Sequence, residues 1–89
     1  MAVMMIAEVP NQTQAGYDGL LAALEGALRA APGFLMHSAY PTADGWRAIE
    51  IWETSKHCND FFARHVHPIL PPGIKPQRSV HELHSLVKV

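Results

Sequence analysis

The chain has a single cysteine, Cys58, so no internal disulfide framework holds it together. It has no excess of positive charge. Seven Lys and Arg stand against eight Asp and Glu, for a formal net charge of -1. A nucleic-acid partner, which would need a basic stripe, is therefore not expected. No apolar run approaches the roughly 20 residues of a membrane span, so no membrane partner is expected either. Met1 to Val9 is apolar but lacks the basic start and cleavage site of a signal peptide. There is no Gly-rich phosphate loop and no nucleophile elbow, which leaves no place for a nucleotide cofactor. A cytoplasmic setting fits these absences.

Apolar side chains, by contrast, are plentiful. The 89 residues are 48% hydrophobic and only 17% charged. That length makes one domain, residues 1–89, and a domain this small cannot hide so much apolar surface alone. A homodimer is expected.

Val3 to Val9 is a compact apolar run bounded by Pro10-Asn11, the pattern of a buried strand. Tyr17, Leu20, Leu21, Leu24, Leu28 and Ala31 then recur at spacings of three and four, one face of a helix. Asn11 or Thr13 caps its start, and Pro32-Gly33 stops it. Phe34 to Tyr40 and Trp46 to Trp52 read as two strands joined by turn residues 41–45. With Tyr40 opposite Trp46, Met36 faces Glu50 and Phe34 faces Trp52. One face then carries Met36, Tyr40, Glu50 and Trp52, and the other Leu35, His37, Ile49 and Ile51.

Thr54 or Ser55 opens a second helix whose apolar stripe is Cys58, Phe61, Phe62, His65, Val66 and Ile69. Pro68 ends it, and Pro71, Pro72 and Pro76 make the next stretch a stiff, non-helical connection. Arg78 to Val89 alternates as a last strand. The order β-α-β-β-α-β predicts an α+β domain of the ferredoxin-like kind with an antiparallel sheet. Both sheet faces are apolar. Helices can cover one, and a partner's sheet would cover the other.

Several residues are candidates for chemistry. Glu50 lies mid-strand between two isoleucines, where a carboxylate needs a partner such as Arg64 or a histidine, or a function. His65 sits on the apolar stripe, either bonded to a carbonyl or serving as a pocket acid or base. Trp46 and Trp52 suit core or pocket equally. Six histidines invite a metal reading, but positions 81 and 84 point to opposite faces of a strand, and 65 and 67 diverge on a helix. No metal site is expected. Cys58 reads as an inert core thiol.

The stretch APGFLMHSAYPTADGWRAIEIWETSKHCNDFF resembles the antibiotic biosynthesis monooxygenase family of the dimeric α+β-barrel superfamily. Pro32-Gly33-Phe34 and Glu50-Ile51-Trp52-Glu53 are the points of match. The resemblance implies a sheet-to-sheet homodimer, a pocket between sheet and helices, and a pocket role for Trp52. Haem-degrading relatives pair an Asn on the first strand with a Trp on the second helix; this chain has Ala7 and Glu8, and Phe61 and Phe62, there. The function implied is a cofactor-independent monooxygenase, with no cofactor, acting on a small apolar or aromatic, polyketide-like ligand. Glu50 or His65 would be the base, and Trp52, Tyr40, Phe61 and Met36 would shape the slot. The competing readings are a non-catalytic ligand-binding or stress-associated module and a cyclase or isomerase using the same pocket.

Overall fold

The computed structural model describes all 89 residues, Met1–Val89. Strand β1 (Val3–Pro10) alternates strictly. Val3, Met5 and Ala7 are buried and their neighbours less so, the signature of a strand covered more fully on one face. The chain then reverses, and Thr13 caps helix α1 (Gln14–Ala30), its hydroxyl accepting from the Gly16 N–H at 3.1 Å. Strands β2 (Phe34–Pro41) and β3 (Gly45–Trp52) form a hairpin. Thr54 caps α2 (Ser55–Phe61) in the same way, accepting from His57 N–H at 3.1 Å. Strand β4 (Gln77–Glu82) closes the sheet. The sheet is antiparallel throughout in the order β2-β3-β1-β4, and with both helices the fold is ferredoxin-like α+β.

Both helices lie on the face carrying Val3, Met5 and Ala7. Leu28, Cys58 and Phe61 meet those strand residues around Trp52, which is completely buried. The Trp52 ring is held edge-on by Phe34 and tilted against Phe61, each at 5.4 Å between centroids. On the other face Met4, Ile6, Ile49 and Ile51 lie across the two central strands with no helix over them.

Three expectations need correction. The first is the hairpin register. Phe34 does pair with Trp52, but Pro41 pairs with Trp46, Tyr40 with Arg47, His37 with Glu50 and Met36 with Ile51. The turn is tighter than expected because Pro41 stays in the strand. On edge strand β2 it owes no ladder N–H, so proline is tolerated there. A β-bulge between Phe34 and Met36 absorbs the one-residue difference. Parity therefore reverses along most of β2. His37 comes to the helix side beside Glu50, and Met36 and Tyr40 go to the opposite face, where both are exposed.

The second correction concerns α2. The regular helix ends at Phe61, widens into a π turn (Phe62–Val66) and tightens into a 3-10 turn (His67–Ile69). Pro68 has no N–H for the Arg64 carbonyl and its ring would crowd that oxygen, so the turn before it opens. The apolar stripe rotates with it. Third, β4 stops at Glu82, not Val89. Its neighbour β1 begins at Val3, opposite Glu82, and after Leu83 N–H donates to the Ala2 carbonyl there is no further strand to pair with.

Gly33 links α1 to β2 at φ +79°, and a Cβ there would strike the His57 ring. Its carbonyl accepts from Glu53 N–H at 2.7 Å, tying the turn to the end of β3. Gly33→Ala combines backbone strain with a steric clash and is expected to cost about 1–3 kcal/mol in urea unfolding. Adding His57→Ala should recover the steric part and leave the backbone part.

Candidate functional site

A cavity of about 110 Å³ lies between the sheet and the helices. Its floor is Met5, Ala7, Val9 and Ala48, and its roof is the leucine face of α1 together with Phe61, Phe62 and Val66. The π turn supplies two of these roof residues, and such turns are frequent at functional sites. The walls are mostly apolar, with Gln12 and two polar clusters set into them.

The first is a chain of hydrogen bonds. His37 Nδ1–H donates to Glu50 Oε2 at 2.7 Å, and Trp52 Nε1–H donates to Glu50 Oε1 at 2.9 Å. A carboxylate offers no proton, so Nδ1 carries a hydrogen, and in the neutral ring Nε2 is then the acceptor. The Tyr17 hydroxyl lies 2.6 Å from Nε2 and donates to it. The His37 and Glu50 side chains are 16% and 13% exposed. Burial pushes the Tyr17 phenol above its usual range, and the charges of Glu50 and Asp18 add to the shift. Tyr17 thus stays a neutral O–H able to relay a proton rather than hold a charge. Its ring also stacks on Trp46, 5.6 Å between centroids and 18° apart.

The second place is the opposite wall, on β4. Arg78 Nη2–H donates to Asn59 Oδ1 at 3.0 Å and lies 3.5 Å from Cys58 Sγ, and the guanidinium sits 4.2 Å over the Phe62 ring. None of the ion pairs in the chain includes it. Burial raises the Cys58 thiol pKa, with Arg78 pulling the other way, so the thiol rests protonated. Two N–H groups of cavity-lining residues, Trp46 Nε1 and Arg78 Nε, are buried with no acceptor. Each covered donor costs about 1–3 kcal/mol.

Of the residues singled out from sequence, Trp46, Glu50, Cys58 and Phe61 line this cavity. Trp52 lies beneath it in the core and reaches it only through the bond to Glu50. Met36 and Tyr40 are on the far side of the sheet, where the Tyr40 hydroxyl accepts from Arg47. His65 is turned out of the cavity by the π turn. It packs on the outer side of Phe61, 4.9 Å between rings, in a surface groove with Lys56 and Arg64. His37 and Arg78 were not among the sequence candidates. The expected register puts His37 on the opposite face from Glu50, and in the sequence Arg78 marks only the start of a strand. A mid-strand carboxylate asks for a cationic or N–H partner, and the hairpin offered His37 within one residue. No three His, Cys, Asp or Glu side chains converge as a metal site would require.

No helix of the chain is long and apolar enough to cross a membrane. No family model and no curated protein matches the sequence. Solved structures do match. SnoaB, a cofactor-independent oxygenase from Streptomyces nogalater, superposes with a TM-score of 0.69 at 12% identity, covering 97% of this chain and 96% of that one. MhuD, a heme-degrader from Mycobacterium tuberculosis with two hemes bound in its active site, gives 0.64 at 18% identity over 99% and 100%. A Bacillus cereus protein assigned as an antibiotic biosynthesis monooxygenase gives 0.55 at 14% over 99% and 95%. At these identities the likeness is one of fold, and in fold the chain resembles the antibiotic biosynthesis monooxygenase-like proteins over nearly its whole length.

Proposed function

We propose that the chain is a cofactor-independent oxygenase acting on a small, electron-rich phenol, and that it works as a homodimer. The observation that carries this reading is the Tyr17–His37–Glu50 relay opening onto an apolar cavity. A phenol in the cavity gives its proton to the Tyr17 oxygen as the Tyr17 proton passes to His37 Nε2. Glu50 holds the resulting imidazolium, and Trp52 holds Glu50 in place. The apolar walls leave the phenolate poorly solvated and rich in electrons. It transfers one electron to O₂, and the radical and superoxide join at the ring carbon para to the oxygen. The relay returns its proton to the peroxide, and loss of water leaves a quinone. One oxygen atom of O₂ enters the product and the other leaves in water.

SnoaB, similar in fold, is a cofactor-independent oxygenase. A haem would demand far more widening than a single ring does, because drug-sized ligands already need about 300–1,000 Å³. Even benzene occupies an apolar cavity of about 150 Å³, so an occupied site here is a widened one. The relay moves protons and contains no group dedicated to O₂, which also favours an isomerase or cyclase reading. Oxygen uptake measured alongside product formation separates the two.

Glu50→Gln keeps the shape and still accepts from Trp52. Its amide N–H₂, however, donates to His37 Nδ1, which forces the ring proton onto Nε2 and blocks acceptance from Tyr17. Oxygen uptake with a phenol substrate should fall about 10²–10⁴-fold with little change in thermal stability. Full activity in Glu50→Gln would end this mechanism.

Tyr17 gives a second test. The fold favours its protonated form, so any stability it contributes is complete below the ordinary value of 10.0 and is lost as pH rises through the raised value. Alkaline titration followed by the ultraviolet absorbance of tyrosinate should show a late tyrosine step that Tyr17→Phe removes.

The sheet face without a helix over it supports the dimer. Met4 and Ile6 on β1 and Ile49 opposite Ile6 on β3 form an apolar cluster on it, and burying such a face stabilises by about 25 cal/mol per Å². Sedimentation at micromolar concentration should give twice the chain mass of 9.8 kDa. Ile49→Lys should give an unstable or unfolded monomer, and a stable wild-type monomer would refute the assembly.

A further inference from the structure

The relay accounts for one wall of the cavity and leaves two buried donors unexplained. Arg78 Nε and Trp46 Nε1 both belong to cavity-lining residues, and neither has an acceptor. Arg78 also brings a positive charge that no carboxylate of the chain balances. Its polar contacts are Cys58 and Asn59, both neutral, and the burial of Cys58 keeps its thiol uncharged. The Nη2 end of the guanidinium reaches the surface at Asn59, so the charge itself is half-solvated, but the buried Nε is left for an acceptor that enters the cavity, and an anionic one would form the stronger, charge-assisted bond.

We infer that the ligand of this cavity is a single-ring aromatic acid with two oxygen functions, an anionic carboxylate paired with Arg78 and a phenolic oxygen accepting from Trp46 Nε1. The inference deepens the proposed oxygenase reading and rests on it for the role of the phenol. Placement supports it. Trp46 pairs with Val9 on β1, and Arg78 pairs with Ala7 on the far side of the same strand. The two stand two strand spacings apart, on the order of 10 Å between backbones. Both residues line the one cavity, so a single ligand can meet the two of them. Trp46 stacks on Tyr17, so an oxygen held by Trp46 lies at the relay end of the cavity. There the indole N–H would stabilise the negative charge that forms as the proton leaves, a donor aimed at developing charge.

The size agrees. A cavity of about 110 Å³ must widen for even one ring, and its roof of Phe62 and Val66 belongs to the π turn rather than to a regular helix. In the closed cavity both orphan nitrogens are buried without an acceptor. In the widened one they become available, and a ligand with acceptors at both ends recovers what their burial cost.

The test is direct binding of 3-hydroxybenzoate and its neutral isostere 3-hydroxybenzamide, by calorimetry on the full chain under argon. Wild type should bind the acid about tenfold more tightly than the amide, since charge-assisted bonds are the stronger ones. Arg78→Met should abolish that preference, and Arg78→Lys should keep part of it, which separates lost charge from lost folding. Trp46→Phe preserves the stack on Tyr17 and should weaken both probes about fivefold. Equal affinity of wild type for acid and amide, an unchanged preference in a folded Arg78→Met, or no saturable binding of either probe overturns the inference. Because O₂ is absent, the outcome does not depend on turnover. Anion preference without oxygen uptake would sink the oxygenase reading alone, and oxygen uptake without anion preference would sink this one alone.

Discussion

The carboxylate of Glu50 sets the terms for the helix side of the sheet. It sits in the middle of a central strand, facing helices rather than water, where an unpaired charge would cost far more than a small domain can spare. Two N–H groups compensate it, one on each oxygen. Trp52 can supply the first only because Phe34 and Phe61 fix its ring and the core seals it from water. His37 can supply the second only because β2 is shifted one residue against β3. Once Nδ1 is committed to Glu50, the other ring nitrogen must accept, and Tyr17 on α1 provides the proton. Helix, hairpin and core are thus tied together through one buried charge.

Much of this was legible in the sequence, and the misses share a common cause. The element order, both helix caps, the leucine face of α1 and the Phe34–Trp52 pair come from local patterns such as the period of apolar residues, Thr before a helix, and Pro-Gly after one. Glu50 was visible as an anomaly, a charge between two isoleucines. Its partner was not, because strand parity has no tolerance. Keeping Pro41 in the strand moved every pairing between residues 36 and 41 by one and exchanged the faces of His37 and Met36. The bulge that compensates leaves no mark in composition. His65 failed for a related reason. Helical periodicity extrapolated past Phe61 assumes about 3.6 residues per turn, and the π turn before Pro68 breaks that count. The end of β4 was misjudged because alternation signals a strand without saying whether a neighbour exists to bond it.

Polar groups divide between the two sides of the cavity by strand. The relay belongs to β2, β3 and α1, and the unbalanced cation belongs to β4 and leans on α2 through Asn59 and on the π turn through Phe62. Between them run the apolar residues of β1. The division has a chemical sense. A base next to an arginine would share its field, and a relay that must gain and lose a proton is better separated from a fixed positive charge. Cys58, beside Arg78, illustrates the opposing influences, since burial raises its pKa while the guanidinium lowers it.

The alternation of side chains links the two faces of the sheet. Met36 and His37 are neighbours on β2, and Ile49, Glu50 and Ile51 are consecutive on β3. Whatever packs on the outer face therefore grips the residues immediately before and after those that build the relay. A second copy seated there, as proposed, would resist a slip of β2, because a slip would put His37 into an apolar interface and Met36 into the cavity. The edge position of β2 makes this matter, since it is bonded to β3 alone, and edge strands are where register is least protected. The distance between His37 and Glu50 then depends on contacts made on the side of the sheet that the cavity never touches.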